Sequence, residues 1–174
     1  NSGSIQSTLS GGTAIYSGAG GEFFNRAGGT VSSLNFGYYL NGFGKNGLID
    51  NAGSIQANNV AVKFEHGNTF AIINRSTGII SGKGAQTISI AGSTGYFVNQ
   101  GTITGTDSAF YANNPQGGIV INAGTLTAGN NSSAIQTDVS DSGSTIYNLG
   151  TVSGAGTGAA VSLRGSNTLL VLGT

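Results

Sequence analysis

One phrase returns along the whole chain: an asparagine, any residue, a glycine, a hydroxyl residue and an aliphatic one. It reads NAGSIQA from Asn51, NQGTITG from Asn99, NAGTLTA from Asn122 and NLGTVSG from Asn148. Aligning the aliphatic residue gives Ile5, Val31, Ile55, Ile80, Ile103, Leu126 and Val152, at intervals of 26, 24, 25, 23, 23 and 26 residues. A repeat this short cannot bury its own apolar face, so it is stable only when neighbouring repeats stack on it.

Each interval holds two further apolar runs. One reads AIYS from Ala14, AVKF from Ala61, TISI from Thr87 and AVSL from Ala160; the other reads FFN from Phe23, AIIN from Ala71, YFVN from Tyr96 and IVIN from Ile119. The runs alternate in polarity, favour β-branched and aromatic residues, and are separated by Gly, Asn and Ser, which is a strand signature. No stretch keeps helical i, i+3, i+4 spacing, and the 32 glycines would weaken any helix. The expected fold is all-β: a parallel β-helix solenoid of about seven coils of 23–26 residues with three strands per coil. At roughly 4.8 Å per coil it forms a rod of about 34 Å.

The asparagines that open the phrase, Asn25, Asn51, Asn74, Asn99, Asn122 and Asn148, then fall at one corner of every coil. Stacked amides there can bond to their copies above and below, an asparagine ladder that satisfies buried polar groups. The glycine that follows suits a corner needing positive φ. NRAGGTV at Asn25 and NRSTGII at Asn74 fit with extra residues at that corner, and in the last coil the ladder position falls on Val171, preceded by Leu170.

Alternation assigns the faces. Val62 and Phe64 point inward and Lys63 outward, which makes Tyr16, Tyr39, Lys63, Ser89, Tyr111, Gln136 and Ser162 an outward column. Its three tyrosines suit cross-strand packing on a solvated sheet, the plainer reading, or stacking on sugar rings and gripping a protein partner. Tyr16, Tyr39, Lys63 and Tyr111 are therefore candidate binding residues, with Phe43 from the aromatic segment FGYYLNGF. The first strand turns out Thr30/Ser32, Ser54/Gln56, Thr102/Thr104, Thr125/Thr127 and Thr151/Ser153, a hydroxyl array that can match ice but is broken by Gln56 and Ile79. Before each ladder asparagine stands Phe24, Asp50, Ile73, Val98, Ile121 or Tyr147. If exposed, this column is a self-association face; if a loop covers it, or the phase slips at the corner, it is packing.

Chemistry is sparse. GFGKNG, Gly42 to Gly47, has dinucleotide-site spacing but runs into a strand rather than a helix. His66 beside Glu65 reads as a turn histidine, and Asp138 and Asp141 as a solvated turn without calcium-loop spacing. The six acids, which include Asp107, never share a column in threes, so a glycan-degrading enzyme is weakly supported and a non-catalytic protein is expected, with no metal and no cofactor. Six basic residues cancel them, which argues against nucleic acid, and no apolar run reaches the roughly 18 residues of a membrane span. Cysteine is absent, which excludes disulfides and thiolate sites. The lack of methionine, even at position 1, suggests one β-helix domain, residues 1–174, taken from a longer protein.

The phrases INAGTLTAG, VNQGTITG and YNLGTVSG, with AAVSLRGSNTLLVLGT at the end, resemble the passenger repeats of bacterial autotransporters. That resemblance covers nearly the whole chain and implies a right-handed β-helix, exported through an outer-membrane β-barrel to the surface of a Gram-negative bacterium. It also implies a structural stalk for adhesion or self-association, whose partner is a host or bacterial surface protein, a glycan, or itself. No G-x-S-x-G elbow of catalytic members is present.

Overall fold

The computed structural model describes residues 1–113 and 117–173. Twenty-one short strands, β1 to β21 in chain order, form three parallel sheets of seven among the described residues. The first sheet stacks β1 (Ser4–Ser7), β4 (Thr30–Ser33), β7 (Ser54–Ala57), β10 (Ile79–Gly82), β13 (Thr102–Gly105), β16 (Thr125–Thr127) and β19 (Thr151–Ser153). The second stacks β2 (Thr13–Ser17), β5 (Phe36–Asn41), β8 (Val60–Glu65), β11 (Gln86–Ala91), β14 (Ser108–Asn113), β17 (Ile135–Thr137) and β20 (Val161–Ser162). The third stacks β3 (Gly21–Asn25), β6 (Asn46–Asn51), β9 (Thr69–Asn74), β12 (Thr94–Asn99), β15 (Gly118–Asn122), β18 (Thr145–Asn148) and β21 (Leu169–Leu172). Each consecutive trio of strands is one coil, and every strand pairs with the strands three before and three after it. The chain is thus a β-solenoid of seven coils, as the repeat requires.

The register follows the phrase. Ile5, Val31, Ile55, Ile80, Ile103, Leu126 and Val152 are successive pairing partners, one column through the first sheet. Two more inward columns face it, Ile15–Tyr38–Val62–Ile88–Phe110–Ile135–Val161 and Phe23–Ile49–Ile72–Phe97–Val120–Ile146–Leu170. A single-residue slip would turn each column to solvent, so burial of these aliphatic and aromatic side chains fixes the register. In the middle coils they have almost no exposure, and each contributes about 1.5–3 kcal/mol before ordering costs are subtracted. Aromatics fill the wider parts: Phe97 and Phe110 stack at 5.0 Å with rings 7° apart, and Tyr38 and Phe64 at 5.8 Å.

Three expectations are corrected. Leu170 pairs with Ile146 and belongs to the core, while Val171 pairs with Tyr147 and Leu172 with Asn148, so the ladder position of the last coil is Leu172. LLVL simply continues the strand alternation by one residue more than the phrase suggested. The ladder-corner glycines do not need positive φ; there only Gly28, among the extra residues of a long corner, has it, at 80°. What excludes a side chain is the adjacent coil, since a Cβ on Gly53 or Gly124 would come closer than 3.0 Å to the carbonyl oxygen of Gly29 or Gly101. Finally, Asp141 is not in solvent. It is fully buried, accepting hydrogen bonds from Ser144 Oγ at 2.7 Å and Thr168 Oγ1 at 2.9 Å.

Candidate interaction surfaces

The asparagine corner is the most regular polar feature. Asn25 Nδ2 donates to Asn51 Oδ1 at 2.8 Å, and the same bond repeats to Asn74 (2.8 Å), Asn99 (2.9 Å), Asn122 (2.8 Å) and Asn148 (2.8 Å). The second proton of these amides has backbone carbonyls to reach, such as Gly53 from Asn51 and Gly78 from Asn74. With both protons engaged, an asparagine can be fully buried without an unpaired donor. Asn1 starts the ladder, donating to Asn25 Oδ1 at 3.1 Å. NSGSI at the chain start carries the same spacing as NAGSI at Asn51, so the signal for this seventh member lies in the sequence. The ladder is structural and occupies the interior.

On the second sheet the outward column is continuous from Tyr16 through Tyr39, Lys63, Ser89, Tyr111 and Gln136 to Ser162. It divides into two clusters. In the lower one Tyr16, 60% exposed, meets Tyr39 edge-on at 5.8 Å, and Tyr39 packs on Phe36 at 5.0 Å. Lys63 Nζ lies 4.9 Å from the Phe36 ring centre and 5.3 Å from that of Tyr39, and 2.7 Å from Glu65 Oε1. Tyr39 donates its hydroxyl proton to Glu65 Oε2 at 2.5 Å. Burial works to raise the Glu65 carboxyl, but the bonds from Lys63 and Tyr39 outweigh it and hold it below the usual range. Burial and the same carboxylate push Tyr39 far above an ordinary phenol. Tyr111 lies two strands away, donating to Asp138 Oδ2 at 2.8 Å, and the serine between the clusters, Ser89, is buried beneath its neighbours. Phe43 is 78% exposed on the turn after β5 and packs on His66 at 4.8 Å rather than on the tyrosines. Phe36, Glu65 and His66 thus join Tyr16, Tyr39, Lys63 and Phe43, whereas Tyr111, grouped with those four from the sequence, stands apart with Asp138; the signal for Glu65 was one-coil spacing from Asn41.

The third sheet turns out the column Phe24, Asp50, Ile73, Val98, Ile121 and Tyr147, in register as aligned. The phase at the corner therefore holds. Two residues earlier on each strand runs a second outward column, Glu22, Leu48, Ala71, Tyr96, Ile119, Thr145 and Leu169, which sequence reasoning did not single out. Tyr96 is 44% and Ile119 47% exposed. From coil 3 upward the face is almost wholly apolar. The charges sit at its base, where Asp50 is paired with Arg75 and Arg26 lies over the Phe24 ring at 5.3 Å. Both arginines come from the two long corners.

The first sheet places its hydroxyl columns outward, and the column Ser54–Ile79–Thr102 confirms that Ile79 interrupts them with an exposed aliphatic side chain. Glycine-rich GFGKNG leads into β6 with no helix, and His66 is a turn residue with φ of 68°. Glu65, Asp50 and Asp138 are each engaged by a specific donor and Asp141 is buried, and no group of three metal-ligating side chains occurs among the described residues. No protein family, curated protein or solved structure matches this chain.

Proposed function

We propose that this chain is a length of non-catalytic stalk, exported to the surface of a Gram-negative bacterium in the manner of an autotransporter passenger, that associates with a second copy of itself. Its ligand is its own third sheet. The observation that carries this reading is the two-column apolar face running from Ala71 and Ile73 to Leu169 and Val171.

Its size fits a weak, reversible contact. The five strands from coil 3 to coil 7, at about 4.8 Å spacing and about 17 Å wide, present a plan area of about 410 Å², and two such faces together bury about 820 Å², in the range of transient rather than permanent interfaces. Monomers rarely leave so long an apolar strip open. The ends of the rod lack this property, because they expose backbone edges rather than a flat side-chain surface. Adhesion to another surface protein would use the same strip. Asp50, Glu65, Asp138 and Asp141 are engaged by neighbouring groups, and the other two acids, Glu22 on β3 and Asp107 between β13 and β14, stand four coils apart, which supports a non-catalytic role because paired acid–base chemistry needs two free groups close together.

The test is sedimentation across a concentration series, repeated with Ile73→Lys and Ile121→Lys. Reversible association that both changes abolish is expected. A monomer at every concentration would sink the self-association reading.

A further inference from the structure

We propose a second, independent site: the groove at the corner between the first and second sheets binds a stretch of unbranched acidic polysaccharide, a uronate chain. Two rows of side chains wall it. One is Gln6, Ser32, Gln56 and Ser81, successive pairing partners on β1, β4, β7 and β10. The other is Thr8, Leu34, Asn58 and Lys83, each one residue past the end of those same strands. Between the rows lies an open trough of about 230 Å³, floored by Ser33 and Ala57. At about 4.8 Å per coil it runs about 14 Å along the rod, from coil 1 to coil 4.

The trough is preformed. Backbone pairing continues through the corner, with Asn58 N donating to Ser33 O at 3.0 Å and Lys83 N to Ala57 O at 3.1 Å. Ser33, nearly buried, donates its hydroxyl proton to Gly12 O at 2.6 Å and accepts from Asn35 N at 3.1 Å, and Asn59 Nδ2 donates to Asn35 Oδ1 at 2.9 Å. The walls are a contrast to this satisfied floor. The side chains of Gln6, Ser32, Gln56, Asn58, Ser81 and Lys83 make no hydrogen bond or ion pair with any described residue, so their donors and acceptors are left for a ligand.

Charge and shape choose the occupant. No carboxylate lines the trough, and Lys83, without an ion-pair partner among the described residues, leaves one positive charge at its upper end. A peptide strand would need free backbone groups on a sheet edge, and here the ladder has taken them. Nucleic acid would need several cations and rings on which bases stack, whereas the lining holds one lysine and no aromatic residue. A linear glycan needs neither. Its ring hydroxyls meet amides and hydroxyls that recur from coil to coil, and a carboxylate on one ring meets Lys83. The volume falls under the roughly 300 Å³ at which small-molecule pockets begin, which suits a chain lying along the trough rather than enclosed by it. The site shares no residue with the apolar face of the third sheet, so this inference and the self-association reading fail separately.

The experiment is a titration of the ¹⁵N-labelled protein with tetragalacturonate, tetramannuronate and, as the uncharged comparison, cellotetraose, following the amides of Ser32, Leu34, Gln56 and Asn58. A saturable shift at this corner is expected with at least one uronate, with a dissociation constant of about 0.1–1 mM because exposed side chains must be ordered around the ligand. Cellotetraose is expected to bind at least threefold more weakly, the scale of an exposed ion pair. Lys83→Glu reverses the charge and should weaken uronate binding more than tenfold. Ser32→Tyr fills the trough from its solvent side with a residue that suits a strand, and should abolish binding while the remaining spectrum stays native. Lys45→Glu, at a different corner, is expected to leave binding unchanged. No saturable shift with either uronate, binding that survives both Lys83→Glu and Ser32→Tyr, or cellotetraose bound as tightly as the uronates would overturn the proposal.

Discussion

Arg75 grips Asp50 of the preceding coil with two parallel bonds, Nε to Oδ1 at 2.8 Å and Nη2 to Oδ2 at 2.7 Å. The hydrogen bond from Arg75 lowers the Asp50 carboxyl and raises the guanidinium in turn. An ion pair open to water on one side adds little to folding. Its effect falls on the face that holds Asp50. Arg75→Ala is expected to change the unfolding midpoint only slightly but to weaken association, because it leaves an unpaired carboxylate in the apolar column. Comparing sedimentation with urea melts separates the two effects.

Removing a middle rung of the ladder strands two groups at once. Asn99→Leu leaves the Asn74 amide without its acceptor and the Asn122 carbonyl oxygen without its donor, both fully buried. Each unsatisfied group costs about 1–3 kcal/mol, so the loss should be about 2–6 kcal/mol. Asn148→Leu, with one amide neighbour and partial exposure, is expected to cost distinctly less. Equilibrium urea unfolding of both variants measures the difference.

The corner glycines predict a contrast along the rod. Gly124→Ala drives a methyl group against the backbone of Gly101, which no rotamer can relieve, and should cost about 1–3 kcal/mol or more. Gly3→Ala lies in the first coil, where the nearest atom to a new Cβ is Asn1 Oδ1 at 3.9 Å. It is expected to be close to neutral. Thermal melts of the two proteins under one buffer decide the point.

Acid should loosen the second sheet before the core. The carboxyl of Glu65 is lowered on folding, so its contribution is fully present above the unfolded value of about 4.5 and is lost as pH falls through the folded one. Stability should therefore decline from about pH 4.5 downward. Glu65→Gln is expected to flatten the part of that slope due to this group, read as unfolding free energy against pH. If the slope is unchanged, Glu65 carries none of it.

Phe24, Ile73, Val98, Ile121 and Tyr147 show how far spacing alone reaches. Their common register and outward direction follow from strand alternation counted back from a buried asparagine, and the structure places them so. The second outward column, with Tyr96 and Ile119, is equally countable, two residues before the first on each strand. The burial of Asp141 was not countable. It depends on Ser144 and Thr168, which the chain brings together from a long turn and from the following coil.

What the sequence by itself determined was the period, and with it the strands, the coils, the inward columns and the ladder, because each repeat carries its own copy of one local pattern. Even Asn1 is legible there. Tertiary structure alone decided what happens where coils differ in length. The pairing of Asp50 with Arg75 and the meeting of Phe43 with His66 arise from extra turn residues in neighbouring coils. A periodic pattern fixes hydrogen-bonded register through the backbone, whereas the reach of a turn depends on the height and side chains of the turns stacked against it.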